Sequence, residues 1–255
     1  MPSRHVLLSL ALAALTLLPS CARGNGVLAT SKRTPPAFSY VSVRLPAYVE
    51  IEQGDTPSVT VSSDANLIGA VSTYVTNETL FISSKQTLQP DLPIMVRLVM
   101  PNVEGIRTGL ALGVKLQDID IERLQVIVEG DGPVVLTGKV KELDVNVKGD
   151  ASFDAVEAEV HTARVSVDSE GLVDVNVTDT LSVTASSGTI RYVTRPPNVS
   201  EQIMGQAVFG RLDMEARAAE KLKGDAAKAG GPGKADPEEE ITNEQQDAID
   251  RAMGL

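Results

Sequence analysis

Four consecutive stretches decide the fold: LQVIVEGDGPVVLTGKVKE (124–142), LDVNVKGDASFDAVEAEVHT (143–162), ARVSVDSEGLVDVNVTDT (163–180) and LSVTASSGTIRYVTRPPNVS (181–200). Their starts lie 19, 20 and 18 residues apart. Each opens on a run of period 2, the signature of a strand with one face turned inward. The inward candidates are Leu124, Val126 and Val128, then Leu143, Val145 and Val147, then Ala163, Val165 and Val167, and last Leu181, Val183 and Ala185. A glycine follows in every unit (Gly130, Gly149, Gly171, Gly188), and apolar alternation then resumes at Val134 and Leu136, Phe153 and Ala155, Val173 to Val177, and Ile190 and Tyr192. A weaker copy, Val103 to Arg123, precedes them.

Self-similarity at about 20 residues predicts a solenoid in which one repeat makes one coil. The expected fold is all-β, a right-handed parallel β-helix with coils of about 20 residues. Like side chains would stack coil on coil inside. The polar set (Asp144, Asn146, Lys148; Arg164, Ser166, Asp168) would face out. A sandwich of antiparallel hairpins competes, because GDG and SEG also suit hairpin loops. Hairpins, however, do not demand a recurring unit of 19 residues.

Working outward, strand signals continue upstream to Phe38, in Tyr40 to Leu45, Val49 to Glu52, Val59 to Ser62, Thr79 to Ile82 and Ile94 to Met100. Asn77-Glu78 suits a tight hairpin. The β-domain is thus expected over 38–212. Past it, residues 213–255 form an acidic, low-complexity tail, Ala/Lys/Glu-rich at first, expected to be partly helical or disordered. Asp236-Pro237-Glu238-Glu239-Glu240 has the order of a helix start, with cap, Pro and first-turn acids.

At the other end, Arg4 is followed by an apolar run from Val6 to Leu18 and then Pro19-Ser20-Cys21. A basic start, a short apolar middle and small residues at the end make residues 1–20 a signal peptide. The run is too short for a membrane-spanning helix, which needs about 20 residues. Leu18-Pro19-Ser20-Cys21 resembles the lipobox of bacterial lipoproteins. That resemblance implies a diacylglyceryl thioether on Cys21 and cleavage after Ser20. Ala22, which is not Asp, implies the outer membrane by the sorting rule of those lipoproteins, with the soluble periplasm as the second address. Residues 21–37, polar and carrying Gly and Pro, read as a lipidated tether.

Composition narrows the function. Asp and Glu number 34 against 23 Lys and Arg, for a net charge of −11. That balance excludes a nucleic-acid footprint and disfavours anionic lipid or glycan as a partner of the whole surface. Cys21 is the one cysteine, so no internal disulfide supports the fold. Aromatic residues make up 3% and Trp is absent, which leaves few platforms for stacking sugars or bases.

By its motifs the strand region resembles the head GIN domain family of auto-transporter adhesins. The stretches that carry the likeness are Val49-Glu50-Ile51-Glu52-Gln53-Gly54-Asp55, Val59-Thr60-Val61 with Asp64 and Asn66-Leu67, and Val75-Thr76-Asn77-Glu78-Thr79-Leu80-Phe81-Ile82. Met100-Pro101-Asn102-Val103-Glu104-Gly105-Ile106 and Gly188-Thr189-Ile190-Arg191-Tyr192 through Pro196-Pro197 complete it. The resemblance covers roughly 38–212 and implies a β-solenoid without known catalysis. The family's repeated Ser-Gly-Ser-Gly turns are eroded here to Glu129-Gly130-Asp131-Gly132, Lys148-Gly149-Asp150 and Ser187-Gly188.

Catalytic chemistry finds little footing. His161 is the one histidine beyond the signal peptide, which argues against His-based triads and His-rich metal sites. Asp131, Asp144, Asp150, Asp168 and Asp174 raise the alternative of a carbohydrate-processing β-helix enzyme, whose stacked carboxylates supply acid and base. Asp131 and Asp150 beside glycines are a faint echo of calcium-binding repeats, but the nonapeptide those require does not recur. The expected function is a non-catalytic, adhesin-like binding or structural module of the cell envelope, with no cofactor and no metal. Its expected partners are the membrane, through Cys21, and an unidentified envelope protein or glycan.

Overall fold

The computed structural model describes residues 21–219; the signal peptide expected over 1–20 and the helix start expected at Asp236 lie outside the described residues. The described residues divide into two units, 21–212 and 213–219. The first unit is all-β. Its strands are β1 (Cys21–Arg23), β2 (Leu28–Arg33), β3 (Tyr40–Val43), β4 (Tyr48–Gln53), β5 (Ser58–Asp64), β6 (Val71–Thr76), β7 (Thr79–Ser84), β8 (Thr87–Gln89) and β9 (Met95–Met100). They continue with β10 (Gly105–Thr108), β11 (Gly113–Val128), β12 (Val134–Val147), β13 (Ser152–Val167), β14 (Leu172–Ala185), β15 (Thr189–Tyr192), β16 (Asn198–Ile203) and β17 (Val208–Arg211). β1 and β8 form a ribbon of their own, and the other strands join one 15-stranded sheet.

The long strands β11 to β14 pair parallel, each with the next in sequence. Val126 lies beside Val145, Val145 beside Val165, and Val165 beside Val183. Leu124, Leu143, Ala163 and Leu181 form a second ladder, and Val128, Val147, Val167 and Ala185 a third. Every one of these twelve side chains is buried. Burial of a fully covered aliphatic side chain contributes about 1.5–3 kcal/mol, so the ladders are the main cohesive element of a fold without disulfides.

Val134 also sits beside Val114, twenty residues earlier. Extended chain of that length covers roughly 65 Å, whereas parallel neighbours are about 4.8 Å apart. Each unit therefore doubles back to its own start. Register slips at Leu116/Ile119, Val135/Gly138 and Ala155/Val160 interrupt the ladder midway along the long strands. Gly138 there has φ +106°, and a side chain on it would collide with the Ile119 backbone. The consecutive hairpins of the sandwich alternative are thus absent from 113–185. The glycines of the eroded turns are steric requirements: a Cβ on Gly149 would collide with the Gly130 carbonyl, and one on Gly130 with that of Gly109.

Parallel pairing does not extend through the whole sheet. β2–β5, β5–β9 and β6–β7 are antiparallel, so the sheet is mixed. The β6–β7 hairpin turns on Asn77 and Glu78, both at positive φ (48° and 58°), the backbone of the tight primed turn.

One expectation is overturned. Residues 21–37 are not a free tether: β1 pairs with β8, and β2 lines up with β5 over Leu28–Asp64 to Arg33–Val59. The strand LATSKR is polar on a sheet edge and lacks apolar alternation, and its partners on β5 lie about 26 to 36 residues away in sequence, while those of β1 on β8 lie 66 away. Local pattern carries no trace of such pairings. In the second unit, Asp213 caps a helical turn over 214–219, its Oδ1 accepting from the backbone N–H of Glu215 and Ala216 at 3.0 Å.

Candidate functional site

Cys21, the predicted lipid-attachment residue, is exposed and opens β1 directly opposite Thr87 of β8. The arm behind it is fastened at several points. Gly24 donates its N–H to the Gln89 carbonyl at 2.8 Å, and the Asn66 side-chain amide donates to the Arg23 carbonyl at 2.8 Å. Asp64, fully buried, gathers three backbone donors: Gly26 on Oδ1 at 2.6 Å, and Asp91 and Leu92 on Oδ2 at 3.0 Å each. A carboxylate in that position replaces its lost hydration with charge-assisted hydrogen bonds. Further along, Arg33 donates to the Val71 and Ile68 carbonyls and to the Thr73 hydroxyl. Burial lowers the pKa of that guanidinium from its ordinary value, and the three acceptors hold it in place. Sequence reasoning named Asp64 only as a motif residue with no role and missed Arg33, because nothing local distinguishes a clamping residue from a solvated one.

Beside this arm lies an open cavity of about 650 Å³, lined by Leu45, Pro46, Leu88 and Leu110 with Arg44, Lys85 and Thr87 among its polar neighbours. Among the described residues, none that lines it is acidic. Leu110 and Leu112 stand exposed on the segment between β10 and β11.

The carboxylates that suggested catalysis are dispersed. Asp174 is buried and held by Arg191 in a two-pronged pair at 2.7 and 2.8 Å. Asp144 lies in register between Gln125 and Arg164, with no carboxylate on either side. Asp131, Asp150 and Asp168 are exposed. Several charges on neighbouring strands face one of opposite sign: Arg123 faces Glu142 at 2.7 Å, Lys141 faces Glu122 at 2.8 Å, and Arg107 faces Glu129 at 2.8 Å, whereas Asp154 and Asp174 are register partners of like sign. Like charges directly opposite on adjacent strands would repel, and opposite ones attract modestly. The hydrogen bond to Glu122 raises the Lys141 pKa from its usual value. Exposed His161 lies 3.8 Å from Asp179.

The exposed aromatics are engaged structurally. The Tyr40 ring covers Gly105, its register partner, where a Cβ would come within 2.7 Å of it. Tyr48 covers Gly113 in the same way on the next pair of strands. Large rings laid over strand glycines restore the packing that a missing side chain forfeits. A hydrogen bond to Glu104, followed by desolvation, raises the Tyr40 pKa. Tyr74 stacks on Phe81 at 5.1 Å, and the Arg44 guanidinium lies over the same Phe81 ring at 4.6 Å. Both neighbours of Phe81 are thus already in place, and the ring is not an open platform.

Comparison with known proteins agrees with this architecture. The family model described as "Putative auto-transporter adhesin, head GIN domain" matches residues 37–196. The fold resembles a crystal structure from Bacteroides fragilis described as a putative adhesin, with a TM-score of 0.63 and 16% identity over 74% of this chain and 99% of that one. A crystal structure from Parabacteroides distasonis, described as a putative lipid binding protein, aligns with a TM-score of 0.50 and 18% identity over 76% of this chain and 100% of that one. No curated protein matches the chain by sequence.

Proposed function

The chain belongs to the head GIN domain family, and from that premise we propose that it is a non-catalytic, adhesin-like module of the cell envelope, displayed on a lipid anchor at Cys21. Its body is a right-handed parallel β-helix. The in-register ladders of β11 to β14 support this, as does the strong right-handed preference of parallel crossover connections. The outer surface, ribbed with paired charges, presents a rigid face to an envelope protein or glycan. Ala22 directs the lipoprotein to the outer membrane.

The observation that carries the proposal is the position of Cys21: it follows the apolar run and Ser20 in sequence and stands exposed at the first residue of β1. Two or more acyl chains give stable anchoring, whereas one holds marginally. The test is metabolic labelling with palmitate. The wild type should take up label and fractionate with membranes, and Cys21→Ser should abolish the label and release the protein to the soluble fraction. A wild type without label removes the anchor.

A further inference from the structure

We infer that the end of the molecule carrying β1, β8 and the segment 109–112 rests directly on the lipid bilayer, with the cavity beside Thr87 open to it; this rests on the anchor proposed at Cys21. A flexible tether of some sixteen residues would let the body wander about 20 Å from its anchor. Here the arm from Cys21 to Arg33 is instead paired with β8 and β5 and fastened through Asp64. An acyl group on Sγ of Cys21 leaves the protein at the protein surface itself, opposite Thr87, which lines the cavity. Whatever surrounds that exit is held against the headgroups.

The surroundings fit that contact. Leu88 and Leu110 line the cavity, and Leu110 is 59% exposed with Leu112 at 45% beside it. Lys85 and Arg44 are exposed among the lining residues, and none of those residues is acidic. The sign of the local charge is therefore opposite to the whole-chain net of −11. Basic side chains are drawn to an anionic bilayer, and exposed apolar side chains add to this by burial in the interface. The acidic body repels anionic lipid, so the attractive patch at the anchor selects which face is turned down. Membrane contact here is a matter of orientation and does not replace the anchor.

The test uses the full chain, expressed in a bacterium that processes lipoproteins and reconstituted in vesicles of phosphatidylethanolamine and phosphatidylglycerol. Leu110→Cys and, as a distant control, Asp168→Cys are labelled with an environment-sensitive thiol dye. Lipid on Cys21 leaves the introduced thiol as the one that reacts, and intact-mass analysis counts both modifications. The expected result is one dye and one lipid group per chain, with doxyl-lipid quenching severalfold stronger at position 110 than at 168. Lys85→Glu in the Leu110→Cys chain should weaken that quenching. Lipid on Cys21 with equal quenching at 110 and 168 overturns the orientation and leaves the anchor standing. No lipid and two dyes per chain overturns both.

Discussion

Val145 lies between Val126 and Val165 in adjacent strands and is fully buried, whereas Asp144, one residue earlier, points to solvent beside Arg164. A carboxylate at position 145 would have no partner and no water, which costs several kcal/mol out of a typical stability of about 5–15 kcal/mol. Val145→Asp should therefore unfold the domain or lower its Tm steeply. Asp144→Asn should shift stability by less than about 1 kcal/mol, because Asp144 is exposed and surface charge interactions are worth little. Thermal melts followed by circular dichroism decide, and equal shifts in the two variants contradict the assigned faces. Asn146, the next outward residue, is a poor control because its side-chain oxygen is buried without a partner. At this scale the sequence was legible wherever alternation was strict: all the inward positions read from the repeats are buried. It gave Asp64 no role and was silent on Arg33, because their partners are backbone groups distant in the chain.

Among the elements, the repeat units and the Asn77-Glu78 hairpin were readable, since each is encoded within about twenty residues. The units fall differently from the sequence phrasing, however. β12 runs from the second half of one repeat into the first half of the next, and the breaks between strands fall at the glycine turns. The arm formed by β1 and β2 was misread as a tether because its pairing energy is non-local and its side chains are polar. Asp64 is the residue that joins the arm to the segment before β9, so Asp64→Ala should orphan the N–H groups of Gly26, Asp91 and Leu92. Hydrogen bonds to a charged group contribute about 1.5–3 kcal/mol each, although the three will not add in full. Amide hydrogen exchange should quicken at those three positions and along β1 and β2, while the amides of β12 and β13 remain protected. Unchanged exchange in the arm would mean that strand pairing alone holds it.

For the molecule as a whole, the family was visible in the order of short motifs, and the matched region 37–196 lies within the span of strands from Tyr40 to Arg211 apart from its leading residues. What the sequence did not convey, beyond the Asn77-Glu78 hairpin, was the mixed N-terminal part of the sheet, where β2–β5 and β5–β9 pair antiparallel. Those strands obey the same alternation as parallel ones, so periodicity cannot distinguish the two. The central claim is that consecutive repeats lie side by side in parallel, one repeat length out of step. The most direct measurement of it is cross-linking in a Cys21→Ser background. Gln125 and Asp144 are register partners on β11 and β12, and parallel neighbours at about 4.8 Å meet the Cα separation a disulfide requires. Gln125→Cys with Asp144→Cys should oxidise to an intramolecular disulfide that leaves the fold intact. Gln125→Cys with Thr137→Cys, the partner that a hairpin across Glu129–Pro133 would bring opposite, should remain reduced. A disulfide between 125 and 137, with none between 125 and 144, would contradict the parallel stack.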